Sequence, residues 1–247
     1  MQTKFKYIID ECEKCKGKGY LFNDRRAFKG EDELTVVNQC TCLKKAVDYH
    51  RFDAANIPRD YYDYTLDDFK ETTAEKALAK ERVEKIIANI TNYQRQGRGL
   101  FLYGTKGTGK TMLAMEILKG ASRAGHSIYY DFYPVIFDAF TKKGYKADEC
   151  KERYDQIFQN IDFLVLDELF KESDYFRGNQ SNEVASARFL EMNILKRRAN
   201  RPTIIISNVE NGLDDIKKHY GQYVYSMMRH TYDLMAFTDH DFREAGK

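Results

Sequence analysis

The sequence predicts an α/β fold: a central five-stranded parallel sheet flanked by helices, with a small metal-bound domain at its N-terminal side. Three observations carry that expectation. A short apolar run, Leu100 to Tyr103, leads straight into the glycine-rich stretch 104–111 (GTKGTGKT) and then into a helical pattern. A second apolar run ends in Asp167-Glu168. Four of the 5 cysteines fall into two close pairs, Cys12 with Cys15 and Cys40 with Cys42. The 247 residues, 43% hydrophobic with only 3 Pro and 15 Gly, support one packed core plus an appendage and exclude a collagenous, low-complexity or wholly disordered chain.

The N-terminal segment comes first. CxxC (Cys12, Cys15) is followed by Lys16-Gly-Lys-Gly19, and CxC (Cys40, Cys42) closes the segment. Each turn holds two sulfurs near one point, so four thiolates can surround Zn2+ tetrahedrally. Aliphatic residues before about residue 50 are too few for an independent core, and metal binding would supply the missing folding free energy. A closed set of four cysteines leaves no open coordination position, which makes the site structural or partner-docking rather than catalytic. His50 is an alternative ligand only at the segment's end, and Cys150 is expected to be a buried packing thiol. The predicted organisation is a zinc domain over 1–52, a linker over 53–72 and a nucleotide-binding domain over 73–247.

Past the linker, Thr72 with Glu75 reads as a capping box. Leu78, Val83, Ile86, Ile87 and Ile90 then recur at helical spacing until Gly97. The stretch 104–111 matches GxxxxGK[ST] in full. Gly104, Thr105, Lys106, Gly107, Thr108 and Gly109 form a loop whose backbone N–H groups can face phosphate oxygens. Lys110 would reach the β and γ phosphates, and Thr111 would ligate Mg2+. Met112, Leu113, Met115 and Leu118 continue as a helix whose positive end faces the nucleotide. Further strands are expected at 127–133, 162–166 and 203–207, with a helix between the first two of these carrying Tyr154, Ile157, Phe158 and Ile161 on one face. At the end of the strand at 162–166, Asp167 can hold Mg2+ while Glu168 orients and deprotonates a water, a pattern for hydrolysis rather than phosphoryl transfer to a small acceptor. Asn208, after the last of these strands, offers an amide to the γ phosphate or the attacking water.

The order phosphate loop, Asp-Glu, Asn resembles that of AAA+ ATPases. The CxxCxGxGY knuckle, the CxC, the stretch IPRDYYDYTLDDF (57–69), the DEL at 167–169 and RPTIIISN (201–208) together resemble the DnaC/DnaI and IstB-like group of that class. The resemblance covers nearly the whole chain. It implies an ATPase with ATP, Mg2+ and Zn2+ as cofactors that self-associates through the ATPase domain. Its expected role is to load a hexameric replicative DNA helicase onto single-stranded DNA during replication initiation, in a phage or bacterium, docking through the zinc domain. An IstB-like transposition helper, or an ATP-binding helicase adaptor with little hydrolysis, are the alternatives. In the group, an arginine from a neighbouring subunit completes the site, from a stretch near the C-terminus; the two matching positions here are Tyr223 and Met227. Arg229, two residues further on, is the candidate replacement, and Arg243 a candidate nucleotide sensor or a solvated charge.

Single-stranded DNA contacts are expected from Lys142, Lys143, Tyr145 and Lys146 and from Tyr175, Phe176 and Arg177, since cations follow phosphates while rings stack on bases. Arg188, Arg197, Arg198 and Arg201 flank a packing helix (Leu190, Ile194, Leu195) and are candidates to face a neighbouring subunit. Forty Lys plus Arg against 38 Asp plus Glu, a formal charge of +2, supply no general attraction to DNA, so any such contact is local. No apolar run is long enough to cross a bilayer and Met1 to Tyr7 lacks a secretory signal's apolar centre, so a cytoplasmic protein without a membrane partner is expected.

Overall fold

The computed structural model describes residues 5–23, 36–141, 145–170 and 180–238, in two compact units, 1–62 and 63–247. The first unit contains helix α1 (Tyr7–Asp10), the antiparallel hairpin β1 (Tyr20–Asn23) and β2 (Val36–Gln39), and helix α2 (Thr41–Ala54). Its larger packed cluster is aromatic. Phe5, Tyr49, Phe52 and Tyr62 are buried and meet edge-on or tilted, with ring centroids 4.9 to 6.1 Å apart. A count of aliphatic side chains misses this core. It also carries the first unit past residue 52, since Phe52, Ala55, Ile57 and Tyr62 are buried.

The second unit is a five-stranded parallel sheet with helices. In chain order it runs α3 (Ala74–Ala88), α4 (Ile90–Gln96), β3 (Gly99–Gly104), α5 (Lys110–Arg123), β4 (Ile128–Phe132), α6 (Tyr133–Thr141) and α7 (Tyr145–Asn160). Then follow β5 (Phe163–Leu169), α8 (Gln180–Phe189) with a π-helical turn Leu190–Leu195, β6 (Thr203–Ser207), α9 (Leu213–Thr231) and β7 (Tyr232–Phe237). The spatial order is β4-β5-β6-β3-β7, every neighbouring pair parallel. Central strands are buried along nearly their whole length, which is why they read as continuous apolar runs without alternation. On one face Leu164, Leu166, Phe101 and Ile205 pack against aromatic side chains of α6, α7 and α8, among them Tyr133, Phe137, Tyr154, Phe158 and Phe189. Helix α5 packs against β4, β5 and β6 and carries Thr111 to Asp167, which puts it on the other face.

Several local expectations are corrected. The cap of α3 is Thr73, whose side chain accepts the Lys76 N–H, and not Thr72; Glu75 instead accepts from the N–H and hydroxyl of Thr238, so there is no capping box. The helical run breaks at Asn89 into α3 and α4, and Leu78 is exposed at 65%. Gly97, with φ 65°, does end the run in the left-handed conformation. Cys150 is exposed, not buried. Arg198 faces no neighbour: it is 3% exposed, and its guanidinium donates to Thr203 Oγ1 and to the carbonyls of Phe158, Ile161, Asp162 and Pro202, fastening the entries to β5 and β6. Arg197 pairs with Asp155, and Arg201 donates to the Ile161 carbonyl. Strand β7 was not legible as a run of its own, because Asp233 and the half-exposed Leu234 interrupt it at the sheet edge. Among the described residues no helix is long and apolar enough to cross a membrane.

Candidate active site and metal centre

Strand β3 delivers its last residue, Gly104, into a turn that only glycine suits. Gly104 has φ 117°, and a Cβ there would lie 2.0 Å from the Phe237 carbonyl oxygen of β7. Thr105 N–H donates to that same oxygen at 2.7 Å, so the edge strand anchors the start of the phosphate loop. Gly109, φ 95°, precedes α5, and a Cβ there would meet the Phe69 ring at 2.6 Å. Within the loop Thr108 Oγ1 donates to the Thr105 carbonyl at 2.9 Å. Lys110 Nζ donates to the carbonyls of Gly104 and Thr105 at 2.9 and 2.7 Å. The lysine is thus already folded over the loop that its ammonium would share with phosphate oxygens.

Segment 63–69 packs on this unit beside the loop. A reciprocal cap between Thr65 and Asp68 shapes the turn at Leu66–Asp68. Buried Lys119 of α5 donates to the Tyr64 carbonyl and pairs with Glu116 at 2.5 Å. Burial pushes the Lys119 ammonium below its usual range and the Glu116 carboxyl above its own; each attraction works against that shift.

Across the crevice stands the end of β5. Thr111 Oγ1 donates to Asp167 Oδ2 at 2.9 Å, joining the two halves of the site. Asp167 is 6% exposed; burial raises its pKa, while the Thr111 hydroxyl and the Glu168 N–H, 2.7 Å from Oδ1, oppose the rise. The next residue breaks the ladder. Leu166 pairs with Ile205 and Leu169 with Ser207, so β5 spends three steps where β6 spends two, and Glu168 takes φ 61° in this bulge. A bulge at a strand end re-aims a side chain, at a cost of order 1 kcal/mol or more for a non-glycine residue in this region. Glu168 is therefore not a simple continuation of the strand, which an Asp-Glu pair in a sequence does not reveal. Ser207 Oγ donates to the Leu169 carbonyl at 2.9 Å and locks the bulge to β6. Asn208, exposed, follows at the end of β6, the strand that lies between β3 and β5.

Arg229 lies elsewhere. It is exposed on α9, three residues before β7 begins, and Tyr232 at that beginning pairs with Gly99, the first residue of β3. The parallel sheet therefore sets Arg229 at the amino-terminal edge, a strand length of about 20 Å from the phosphate loop at the carboxyl edge. Its guanidinium is 3.3 Å from the Tyr225 hydroxyl. Lys142, Lys143, Tyr175, Phe176, Arg177 and Arg243 lie outside the described residues, as do the side chains of Tyr145 and Lys146.

In the first unit Cys12, Cys15, Cys40 and Cys42 converge, with all four sulfurs within 4.8 Å of one another. Cys12 and Cys40 sulfurs are 3.7 Å apart, and those of Cys15 and Cys42 3.5 Å. A tetrahedron of thiolates 2.3 Å from Zn2+ has edges of about 3.8 Å, so the cluster fits that ion. Lys16, Gly17 and Gly19 take φ values of 51°, 77° and 76°, and the turn they make aims the Gly19 N–H at Cys15 Sγ, 3.1 Å away. The backbone amide of Cys15 is the main influence lowering the Cys12 thiol to about 7, and burial raises Cys42. His50 is exposed and is not among the four.

A parallel sheet in this order, a phosphate loop between β3 and α5, and an Asp-Glu at the end of β5 define an AAA+-type nucleotide-binding unit. The sequence pattern of the family described as IstB-like ATP binding protein matches residues 47–223, more than half of the chain. The chain belongs to that family of ATP-binding proteins. The crystal structure of the DnaC helicase loader superimposes with a TM-score of 0.60 and 21% identity, covering 73% of this chain and 100% of that one. The crystal structure of DnaI gives 0.55 and 19%, covering 75% and 94%. A curated relative, the cell division cycle protein 48 homolog of Archaeoglobus fulgidus, is 21% identical over 188 residues, 72% of this chain; the chain spans 25% of that protein's length.

Proposed function

We propose that this protein is an ATP-hydrolysing loader that places a hexameric replicative DNA helicase on single-stranded DNA, holding the helicase through its zinc-binding unit. The observation that carries the reading is the 2.9 Å bond between Thr111 and Asp167, which sets the phosphate loop against the acidic strand end. The loop 104–109 and Lys110 bind the phosphates of ATP, and Thr111 and Asp167 hold Mg2+, which supplies charge neutralisation when bound. Glu168 takes a proton from the water that attacks the γ phosphate, and Asn208 orients that water or the phosphate. Arg229 completes the site of an adjacent copy, which its position at the far sheet edge favours. Lys142, Lys143, Tyr145, Tyr175, Phe176 and Arg177 contact DNA. Bacterial or phage replication is the setting that the similarity to DnaC and DnaI supports.

A second reading, an ATP-binding helicase adaptor with little turnover, is favoured by Tyr223 and Met227 where the resemblance expects arginines. One experiment separates the two: phosphate release measured with single-stranded DNA and helicase, for wild type, Glu168→Gln and Arg229→Ala. The loader reading expects Glu168→Gln to lose roughly 100-fold or more in turnover while still binding ATP. Arg229→Ala is expected to lose about 1000-fold. Mixing the two variants should restore turnover, because one interface in the mixture then has both groups. Wild-type turnover in Arg229→Ala discards the trans role; ATP binding without turnover in the wild type selects the adaptor. Capture of a transposase rather than a helicase from the native cell in the presence of ATP would replace the partner.

A further inference from the structure

The structure assigns Tyr130 as a positioning residue that orients the Asp167 carboxylate for its metal, a role that rests on the nucleotide site proposed above. Tyr130 lies on β4 opposite Val165, and along a parallel pair Val165 and Asp167 occupy the same face two residues apart. The tyrosine therefore reaches diagonally to the strand end, and its hydroxyl donates to Asp167 Oδ2 at 3.3 Å. That oxygen also accepts from Thr111, while Oδ1 accepts the Glu168 N–H. Three donors from three elements, β4, α5 and the bulge of β5, thus fix the plane of a carboxylate that is almost wholly buried. Without them a buried carboxylate has neither solvation nor a defined rotamer.

The tyrosine ring is itself held. It is 2% exposed and meets the Phe132 ring edge-on at 5.5 Å, so the hydroxyl is presented from a fixed base. Tyr129 and Asp131, its neighbours along the strand, serve the opposite face: Asp131 Oδ2 accepts from the Tyr154 hydroxyl of α7 at 2.8 Å, and Tyr129 OH accepts from Arg153. Of the three consecutive polar side chains, Tyr130 is the one directed to the site. Its hydroxyl is not a catalytic group. It acts through Asp167, by leaving the carboxylate lone pairs arranged for a cation beside Thr111.

Tyr130→Phe removes the hydroxyl and keeps the ring, so the fold is preserved. ATP binding to the full-length, zinc-loaded protein is followed by fluorescence of a labelled ATP, once in chelator and once across a Mg2+ titration. The expected result is an unchanged affinity without Mg2+ and a rise of roughly threefold in the Mg2+ concentration needed for half of the Mg2+-dependent gain, the scale of one neutral donor lost. Superimposable titrations for wild type and variant overturn the assignment and leave the nucleotide site standing. An equal loss with and without Mg2+ also overturns it, by showing a packing role. A wild-type protein that binds ATP with no response to Mg2+ overturns both this assignment and the metal site on which it rests.

Discussion

The two units solve the problem of holding a functional cluster in place by opposite means. In the second, buried strands bring residues distant in sequence together: Thr111 and Asp167 meet because β3, β6 and β5 lie side by side, each buried nearly throughout. In the first, Cys12 and Cys15 lie at a turn and Cys40 and Cys42 at the start of α2, and the other described secondary structure around them is a four-residue helix and a hairpin of four-residue strands. Its aromatic cluster packs on α2, while among the described residues the cysteine cluster is bordered by the partly buried Ile8, Ile9 and Leu21. A site assembled by a hydrophobic sheet tolerates an empty ligand position. A site whose own ligands are the packing needs the ion.

Removing the metal tests that contrast most severely. Stripping zinc with a strong chelator, or replacing Cys15 with Ser, forfeits a binding free energy of about 10 kcal/mol. The expected outcome is proteolytic cleavage within the cysteine segment, read by mass spectrometry, with ATP binding by the second unit retained; equal protection with and without metal breaks the contrast. A smaller effect is expected at the loop. Gly104→Ala sets a Cβ against the Phe237 carbonyl where φ is 117°, and should cost at least about 2 kcal/mol, lowering the unfolding temperature of the second unit by several degrees and leaving zinc content unchanged. An unaltered melting curve would mean that β7 does not anchor the loop. The smallest effect belongs to Thr73→Ala, which removes the cap of α3 and should cost about 1 kcal/mol, read as a shift in denaturant midpoint.

Much of the site was legible because its chemistry is local. Consecutive backbone amides that turn toward an anion need glycines at fixed offsets, so 104–111 could be read without a fold. Apolar runs for β3, β5 and β6 were equally plain, since strands covered on both faces need no polar alternation. The cysteine pairs were readable because the members of each lie two or three positions apart in the chain. What failed had non-local causes. Arg198 read as a candidate to face a neighbouring subunit, yet five acceptors brought together from α7, the entry to β5 and the start of β6 bury it. The cap fell to Thr73 rather than the adjacent Thr72, and Glu75, free of a capping box, found its partner in Thr238, 163 residues away.

By itself the sequence determined the candidate ligand chemistry: a glycine-rich loop suited to phosphate, an Asp-Glu pair at a strand end and two close pairs of thiols suited to a metal, because these depend on residue type and short spacing. Only the tertiary structure decided direction. The strand order placed Asn208 between the two halves of the site, the bulge turned Glu168 out of its ladder, the pairing of β4 with β5 brought Tyr130 to Asp167, and the parallel sheet sent Arg229 to the far edge. Each of these follows from register between segments that the chain does not connect directly, and register is fixed by the packing of whole faces rather than by any residue's neighbours in sequence.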